Sequence, residues 1–69
     1  MTIFGKTLQF LRDKDGVTAE KLAEAIGIQV SMIENLENGY IEPDTETASL
    51  IAKYFGVTVG YMRGSAGTM

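Results

Sequence analysis

Cysteine and histidine are both absent from the 69-residue chain. Their absence excludes disulfide frameworks, zinc fingers, thiol nucleophiles and imidazole bases, and it removes the usual ligands of transition metals. We therefore predict no metal and no cofactor, and we expect the folded state to depend on packing alone.

Long apolar runs and an excess of basic residues are also missing. No stretch approaches the roughly 20 apolar residues that cross a bilayer, and the chain does not begin with basic residues followed by an apolar segment. The sequence thus predicts a cytoplasmic protein without a membrane partner. Six basic residues against nine acidic ones give a net charge of −3, which disfavours nonspecific attraction to phosphate backbones.

The composition is that of one small folded domain. Hydrophobic residues make up 45% of the chain and charged residues 22%, with a single proline, which is typical of a globule rather than of a disordered tail. The chain is too short for a barrel, a doubly wound sheet or a two-domain enzyme. We predict one domain over residues 1–63, followed at 64–69 by a flexible tail or the start of a linker.

The hydrophobic pattern is helical. Phe4, Leu8 and Leu11 recur at the spacing of one helix face, and no segment alternates cleanly with the period of a strand. Glycines end the segments, and Gly39 is predicted to take the left-handed conformation that terminates a helix. Five short helices therefore predict an all-α domain. They cover residues 3–14, 19–26, 30–37 and 45–55, and Thr58 opens the short fifth helix.

Residues 18–39 carry the most specific pattern in the chain. Two helices that cross through a short turn need a small residue at the crossing, a glycine in the turn and apolar residues on both inner faces. Ala23 and Gly27 meet the first two needs. An ordinary helical hairpin with a glycine turn has the same requirements, so both interpretations are open at this point. The predicted shared core of the two helices is Leu22, Ile26, Ile28, Ile33 and Leu36.

The pattern extends beyond the turn to all five predicted helices. Its members are Leu8, Leu11 and Arg12, then Leu22, Ala23, Gly27 and Ile28, then Ile33 and Leu36 to Gly39, then Pro43 and Phe55 to Thr58. Together, over residues 3–63, they resemble the helix-turn-helix domain of phage repressors and the related Cro-like, xenobiotic-response-element regulators. The resemblance implies a lambda-repressor-like domain whose third helix enters the major groove of DNA while the second crosses the backbone.

The resemblance also implies that the exposed start and middle of the third helix read base edges. Gln29, Val30, Ser31 and Asn35 stand at those positions, with Glu34 beside them. Asparagine can pair with adenine N6 and N7, serine or glutamine can bond a base or a phosphate, and valine can pack on a thymine methyl. The alternative is a solvated face with no ligand, and Glu34 fits a solvated charge better than a reader of cytosine.

The chain departs from the family at two positions that usually contact phosphates. The family commonly has glutamine where this chain has Ala19, and lysine or arginine where it has Tyr40. Glu20, Asp44 and Glu46 lie at helix starts, where they compete with any phosphate that the helix dipole attracts. The resemblance therefore implies weak contacts to the DNA backbone, with Tyr40 retained among the DNA-binding residues.

One further implication of the resemblance is a partly buried ion pair between Arg12 and Glu37. In the family these positions join the first and third helices. Two independent surface charges are the alternative interpretation.

An apolar patch is predicted on the fourth and fifth helices. Leu50 and Tyr54 are spaced i and i+4 at positions that are usually polar or small in the family, and Tyr61 follows in the next helix. We expect these three residues to form the contact between two copies, with Phe10 as a further exposed residue. A small rotation of the fourth helix would bury them instead, because Ser49 takes a usual core position.

Two hypotheses of function follow. The first is a DNA-binding transcription regulator of phage or bacterial type, a repressor that binds a palindromic operator as a homodimer. The second is a protein-interaction module, an antirepressor or co-regulator that binds a partner regulator and has weak or no DNA binding. Catalysis is not predicted, because the chain offers scattered carboxylates such as Glu24 and Glu42 and no phosphate-binding loop.

Overall fold

The computed structural model describes residues 2–64, which form five α-helices and no strand. The predicted all-α fold is confirmed. Helices α1 and α3 each extend one residue beyond their predicted ends, and α5 begins directly after Thr58. The predicted tail at 64–69 lies outside the described residues, apart from Gly64. The helices are α1 (Ile3–Asp15), α2 (Ala19–Ile26), α3 (Val30–Asn38), α4 (Thr45–Phe55) and α5 (Val59–Met62).

Side-chain caps fix where four of the helices begin. Thr2, Thr18, Asp44 and Thr58 each accept a hydrogen bond from a backbone N–H three residues ahead, at 2.9 to 3.0 Å. Such caps satisfy N–H groups that have no partner within the helix. Hydrogen bonding by the Thr47 side chain, and then by the Thr47 backbone N–H, lowers the pKa of Asp44, since it stabilises the carboxylate.

A single core joins the five helices. Helix α1 packs against α3 and α5, and α2 packs against α3 and α4. Ile26 and Ile28, which the sequence places in the shared core, are partly buried and pack against its edge. The largest fully buried side chains are Leu8, Leu22, Ile33, Leu36, Ile51 and Met62.

Helices α1 and α3 approach each other most closely at Gly5. A Cβ atom at this position would collide with the carbonyl oxygen of Leu36 and would lie 2.9 Å from that of Glu37. Gly5 is buried, so the α1 backbone lies directly against the last turn of α3. This contact could not be predicted from the sequence, because a glycine within a helical segment contributes nothing to the hydrophobic pattern.

We predict that Gly5→Ala destabilises the domain, although alanine favours helix by about 1 kcal/mol over glycine. The added methyl group meets backbone atoms that cannot rotate away, and overpacking of this kind costs about 1–3 kcal/mol. Chemical denaturation measures the change. Gln9→Gly and Gln9→Ala, at an exposed position of the same helix, give the propensity effect alone. A Gly5→Ala protein as stable as the parent would show that α1 and α3 can separate freely.

Candidate nucleic-acid interface

The turn between α2 and α3 is short and internally hydrogen-bonded. Gly27 has a left-handed conformation with φ 77°, and the N–H groups of Gly27 and Ile28 both donate to the Ala23 carbonyl at 2.9 and 3.0 Å. Leu22 on α2 and Ile33 on α3 are fully buried on the facing sides. The crossing of the two helices therefore fixes which side of α3 faces outward.

The outward side of α3 brings together most of the predicted base-reading residues. Gln29, Ser31 and Glu34 are exposed, and Asn35 is half-buried. Val30 is also half-buried and packs against the core, so only part of its side chain is free for a thymine methyl. The face available to a ligand is thus mainly polar.

Helix α3 begins without a side-chain cap. Its N-cap residue, Gln29, has extended backbone geometry and makes no capping hydrogen bond, and the first turn contains no acidic residue. The N–H groups of this first turn therefore lack the side-chain acceptor found on each of the other four helices. The positive end of the helix dipole is open to an anion, and the Gln29 side chain is free to contact a ligand.

Tyr40 follows the glycine that ends α3. Gly39 has φ 79°, the left-handed conformation predicted for it, and the Tyr40 N–H donates to the Asn35 carbonyl at 3.0 Å. The Tyr40 side chain is 77% exposed. Its phenol hydroxyl is a hydrogen-bond donor without a formal charge, unlike the lysine or arginine usual at this position in the family.

The surface formed by residues 18–40, here called the α2–α3 face, is acidic. Residues 18–40 contain one lysine, Lys21, and four glutamates. Glu20, Glu24 and Glu34 are exposed, whereas Glu37 is held by a basic residue from α1. The face therefore lacks the surplus of positive charge that gives most DNA-binding domains their nonspecific affinity.

Arg12 of α1 and Glu37 of α3 form a bidentate ion pair. The Arg12 Nη2 donates to one carboxylate oxygen of Glu37 at 2.8 Å, and Nε donates to the other. The Arg12 Nη1 donates to the Val17 carbonyl at 3.0 Å. Glu37 is 8% exposed, and its carboxylate raises the pKa of Arg12 by hydrogen bonding. One side chain thus ties together α1, the segment before α2, and the end of α3.

The three residues predicted to form the dimer contact differ in their exposure. Leu50 and Tyr54 are 36% and 37% exposed, so the alternative that a rotated α4 buries them is wrong. Ser49 is exposed rather than in the core, and the buried side of α4 consists of Ala48, Ile51 and Ala52. Tyr61 is half-buried and packs against the core, so it contributes less open surface.

Exposed apolar side chains also occur away from this patch. Phe10 on α1 is 55% exposed. Ile3 and Ile41, which the sequence did not mark as candidates, are exposed as well. A cleft of about 630 Å³ lies beside the start of α1. Three separate segments form the cleft, so no local pattern could reveal it. Its lining residues are Thr2, Ile3, Phe4, Glu42, Pro43 and Arg63.

Comparison with known proteins places this geometry in a family. The sequence profile of the helix-turn-helix family matches residues 8–62, which include the α2–α3 crossing. The chain belongs to the helix-turn-helix family. Over 60 residues it is 33% identical to the HTH-type transcriptional regulator ImmR of Bacillus subtilis (strain 168). That match covers 87% of this chain and 47% of the relative, so the chain spans about half the length of ImmR. No solved structure gives a significant match.

No group of three or more acidic, cysteine or histidine residues in the described chain is arranged to hold a metal ion. Within the same residues, no helix has both the length and the apolar character needed to cross a membrane.

We predict that breaking the Arg12–Glu37 pair destabilises the helix-turn-helix domain by about 2–4 kcal/mol, because the remaining charge is left partly buried and uncompensated. Arg12→Met and Glu37→Leu, tested singly by chemical denaturation, should each show this loss. The double variant should recover much of it, since no unpaired charge remains.

The exposed pair Lys14–Asp15, with N and O 3.7 Å apart, provides the matched control. Lys14→Met should change the free energy of unfolding by less than about 1 kcal/mol, as for other surface pairs. If the single Arg12 and Glu37 variants behave like this control, the buried pair does not hold α1 to α3.

Proposed function

We propose that this chain is the DNA-binding domain of a transcription regulator, with α3 in the major groove. The observation that carries the proposal is the exposed polar face of α3, held outward by the α2–α3 crossing and uncapped at its start. Family membership supports it, as does the printed name of the relative, a transcriptional regulator.

The roles of the α3 residues follow from their chemistry. Asn35 pairs with adenine N6 and N7, and Gln29 and Ser31 bond bases or the phosphates beside them. Val30 makes a smaller contact to a thymine methyl, because part of its side chain is committed to the core. Tyr40 donates its hydroxyl to a phosphate oxygen, while Glu34 stays in solvent.

The regulator acts as a repressor and binds a palindromic operator as a homodimer. A single half-site offers few contacts, and a twofold dimer matches two half-sites about 34 Å apart on one side of the duplex. The proposed contact between copies is made by Leu50 and Tyr54, with Tyr61 at its edge. Residues 1–63 are the binding unit and 64–69 start the connection to any further segment. The site of action is the cytoplasm, where the DNA is.

A second candidate function rests on the acidic α2–α3 face. Three exposed glutamates repel a phosphate backbone and one lysine, Lys21, attracts it, and Phe10 and Leu50 leave apolar surface open. These features favour a domain that binds a partner regulator, as an antirepressor or co-regulator. Random-site selection on duplex DNA at low salt distinguishes the two, because enriched inverted repeats support operator binding and an unenriched pool supports the protein-binding function.

We predict that Asn35→Ala weakens binding to the selected operator by about 1–3 kcal/mol and relaxes preference at one base pair. Thermal unfolding should change little, since Asn35 is half-buried and lies outside the core. Titrations of parent and variant against operator duplexes substituted at single positions measure both effects. Gln9→Ala, which removes an amide side chain from α1, is the control. Equal affinity of parent and Asn35→Ala for every duplex would remove Asn35 from the readout.

We predict that Leu50→Glu shifts a weak monomer–dimer equilibrium toward monomer and lowers operator affinity. A carboxylate at a contact between two copies must lose its water or keep the copies apart. Sedimentation at rising concentration measures the association constant, and circular dichroism checks that the domain stays folded. Ser49→Glu places the same charge at the neighbouring exposed position. If Leu50→Glu and Ser49→Glu associate equally well, the interface lies elsewhere, and Phe10 is the next residue to test.

A further inference from the structure

The anchoring of α3 stops abruptly one residue before its end. Glu37 is buried and paired with Arg12, and its carbonyl oxygen lies against Gly5. Asn38 is exposed, and residues 40–42 after it are exposed as well. Local opening costs least where few buried contacts are lost. Asn38, the last residue of α3, can therefore leave the helical conformation without breaking the contacts to α1.

Asn38 is followed by glycine, the residue type that shields the side-chain amide of a preceding asparagine least. Gly39 has no side chain, and its backbone N–H is shared between the Asn35 carbonyl and the Leu36 carbonyl, the latter at 3.3 Å, longer than the usual 2.9 to 3.0 Å. The other asparagine of the chain, Asn35, is half-buried and precedes the fully buried Leu36. The same helix thus holds one open asparagine and one shielded asparagine.

We propose that Asn38–Gly39 is a site of spontaneous deamidation in the folded protein. Hydroxide removes the Gly39 N–H proton, and the nitrogen attacks Cγ of Asn38. A carbon–nitrogen bond forms, the bond to the side-chain nitrogen breaks, and ammonia leaves a five-membered succinimide. Water then opens either carbonyl of the ring and gives aspartate or isoaspartate. The net change is the exchange of one amide for one carboxylate, with water consumed and ammonia released.

Both products of deamidation, aspartate and isoaspartate, are unfavourable at the end of α3. A carboxylate in the last turn of α3 lies at the negative end of the helix dipole. Isoaspartate also adds one carbon to the backbone just before the left-handed Gly39, which displaces Tyr40. Both products make the acidic face one charge more negative. The consequence for DNA rests on the proposed function: each deamidated copy binds the operator more weakly, so the active form has a limited lifetime.

Mass spectrometry after proteolysis tests the site directly. Freshly purified protein is held at 37 °C and at several pH values, both folded and in urea, and digested at glutamates over a series of times. Cleavage after Glu34, Glu37 and Glu46 releases 35–37 and 38–46, since the bond between Glu42 and Pro43 resists cleavage, so each fragment carries one asparagine. Deamidation makes a fragment about 1 Da heavier. Asn38→Gln, which would have to form a less favoured six-membered ring, is the matched control.

We expect fragment 38–46 of the folded protein to gain this mass at a rate that rises with pH, while 35–37 and the Asn38→Gln variant do not. The folded rate should be at least about one hundredth of the rate in urea, an opening cost of about 2.8 kcal/mol or less. A slower folded rate, or an equal gain in 35–37, would overturn the proposal.

Operator titration of the aged protein tests the consequence separately. Affinity should fall in step with the modified fraction, and Asn38→Asp should reproduce the part of the loss that is due to charge. Fresh protein that binds no DNA contradicts the proposed function, whereas the modification is judged by the fragment masses alone. If fully modified protein binds the operator as well as fresh protein does, the proposed limited lifetime of the active form is wrong.

Discussion

The orientation of α3 depends on the contacts that α1 makes with the last turn of α3. Gly5 sets the distance between the two helices, because any side chain there would strike the backbone of α3. Arg12 sets the direction, because its planar guanidinium meets both oxygens of Glu37 and also reaches the Val17 carbonyl. A binding face on a helix is useful when its backbone is held to within about 0.5 Å. Buried ion pairs often add little net stability over well-packed apolar residues, whereas the loss of one partner is costly.

The helix boundaries were predictable because their causes are local. A threonine or aspartate cap and a left-handed glycine act within four residues, so the sequence alone places α2 and α4 correctly. The ends of α1 and α3 were predicted one residue too early. In both cases the polar residue before the glycine, Asp15 or Asn38, keeps the helical conformation, and the glycine makes the turn by itself.

Contacts between distant parts of the chain were predictable only where a family resemblance supplied them. Arg12 and Glu37 are 25 positions apart, and no local pattern relates them. Gly5 was missed for the same reason, and the degree of exposure of Leu50 and Tyr54 depends on how α4 lies on the core. On α3 the sequence indicates which side chains face outward. Which base each one meets depends equally on the DNA, because a base contact needs a partner of matching donors and acceptors.

The missing cap of α3 couples binding to folding. Helix α3 begins without the side-chain acceptor that caps the other four described helices, and replacing a good N-cap residue costs a helix about 1 kcal/mol. An anion bound at this end would accept hydrogen bonds from the first turn of α3 and would stabilise the native state by mass action. The helix offered to the ligand is thereby the one that lacks a side-chain cap of its own. Amide hydrogen exchange at the start of α3 would accordingly report the ligand, while exchange in the α1 core would report the fold.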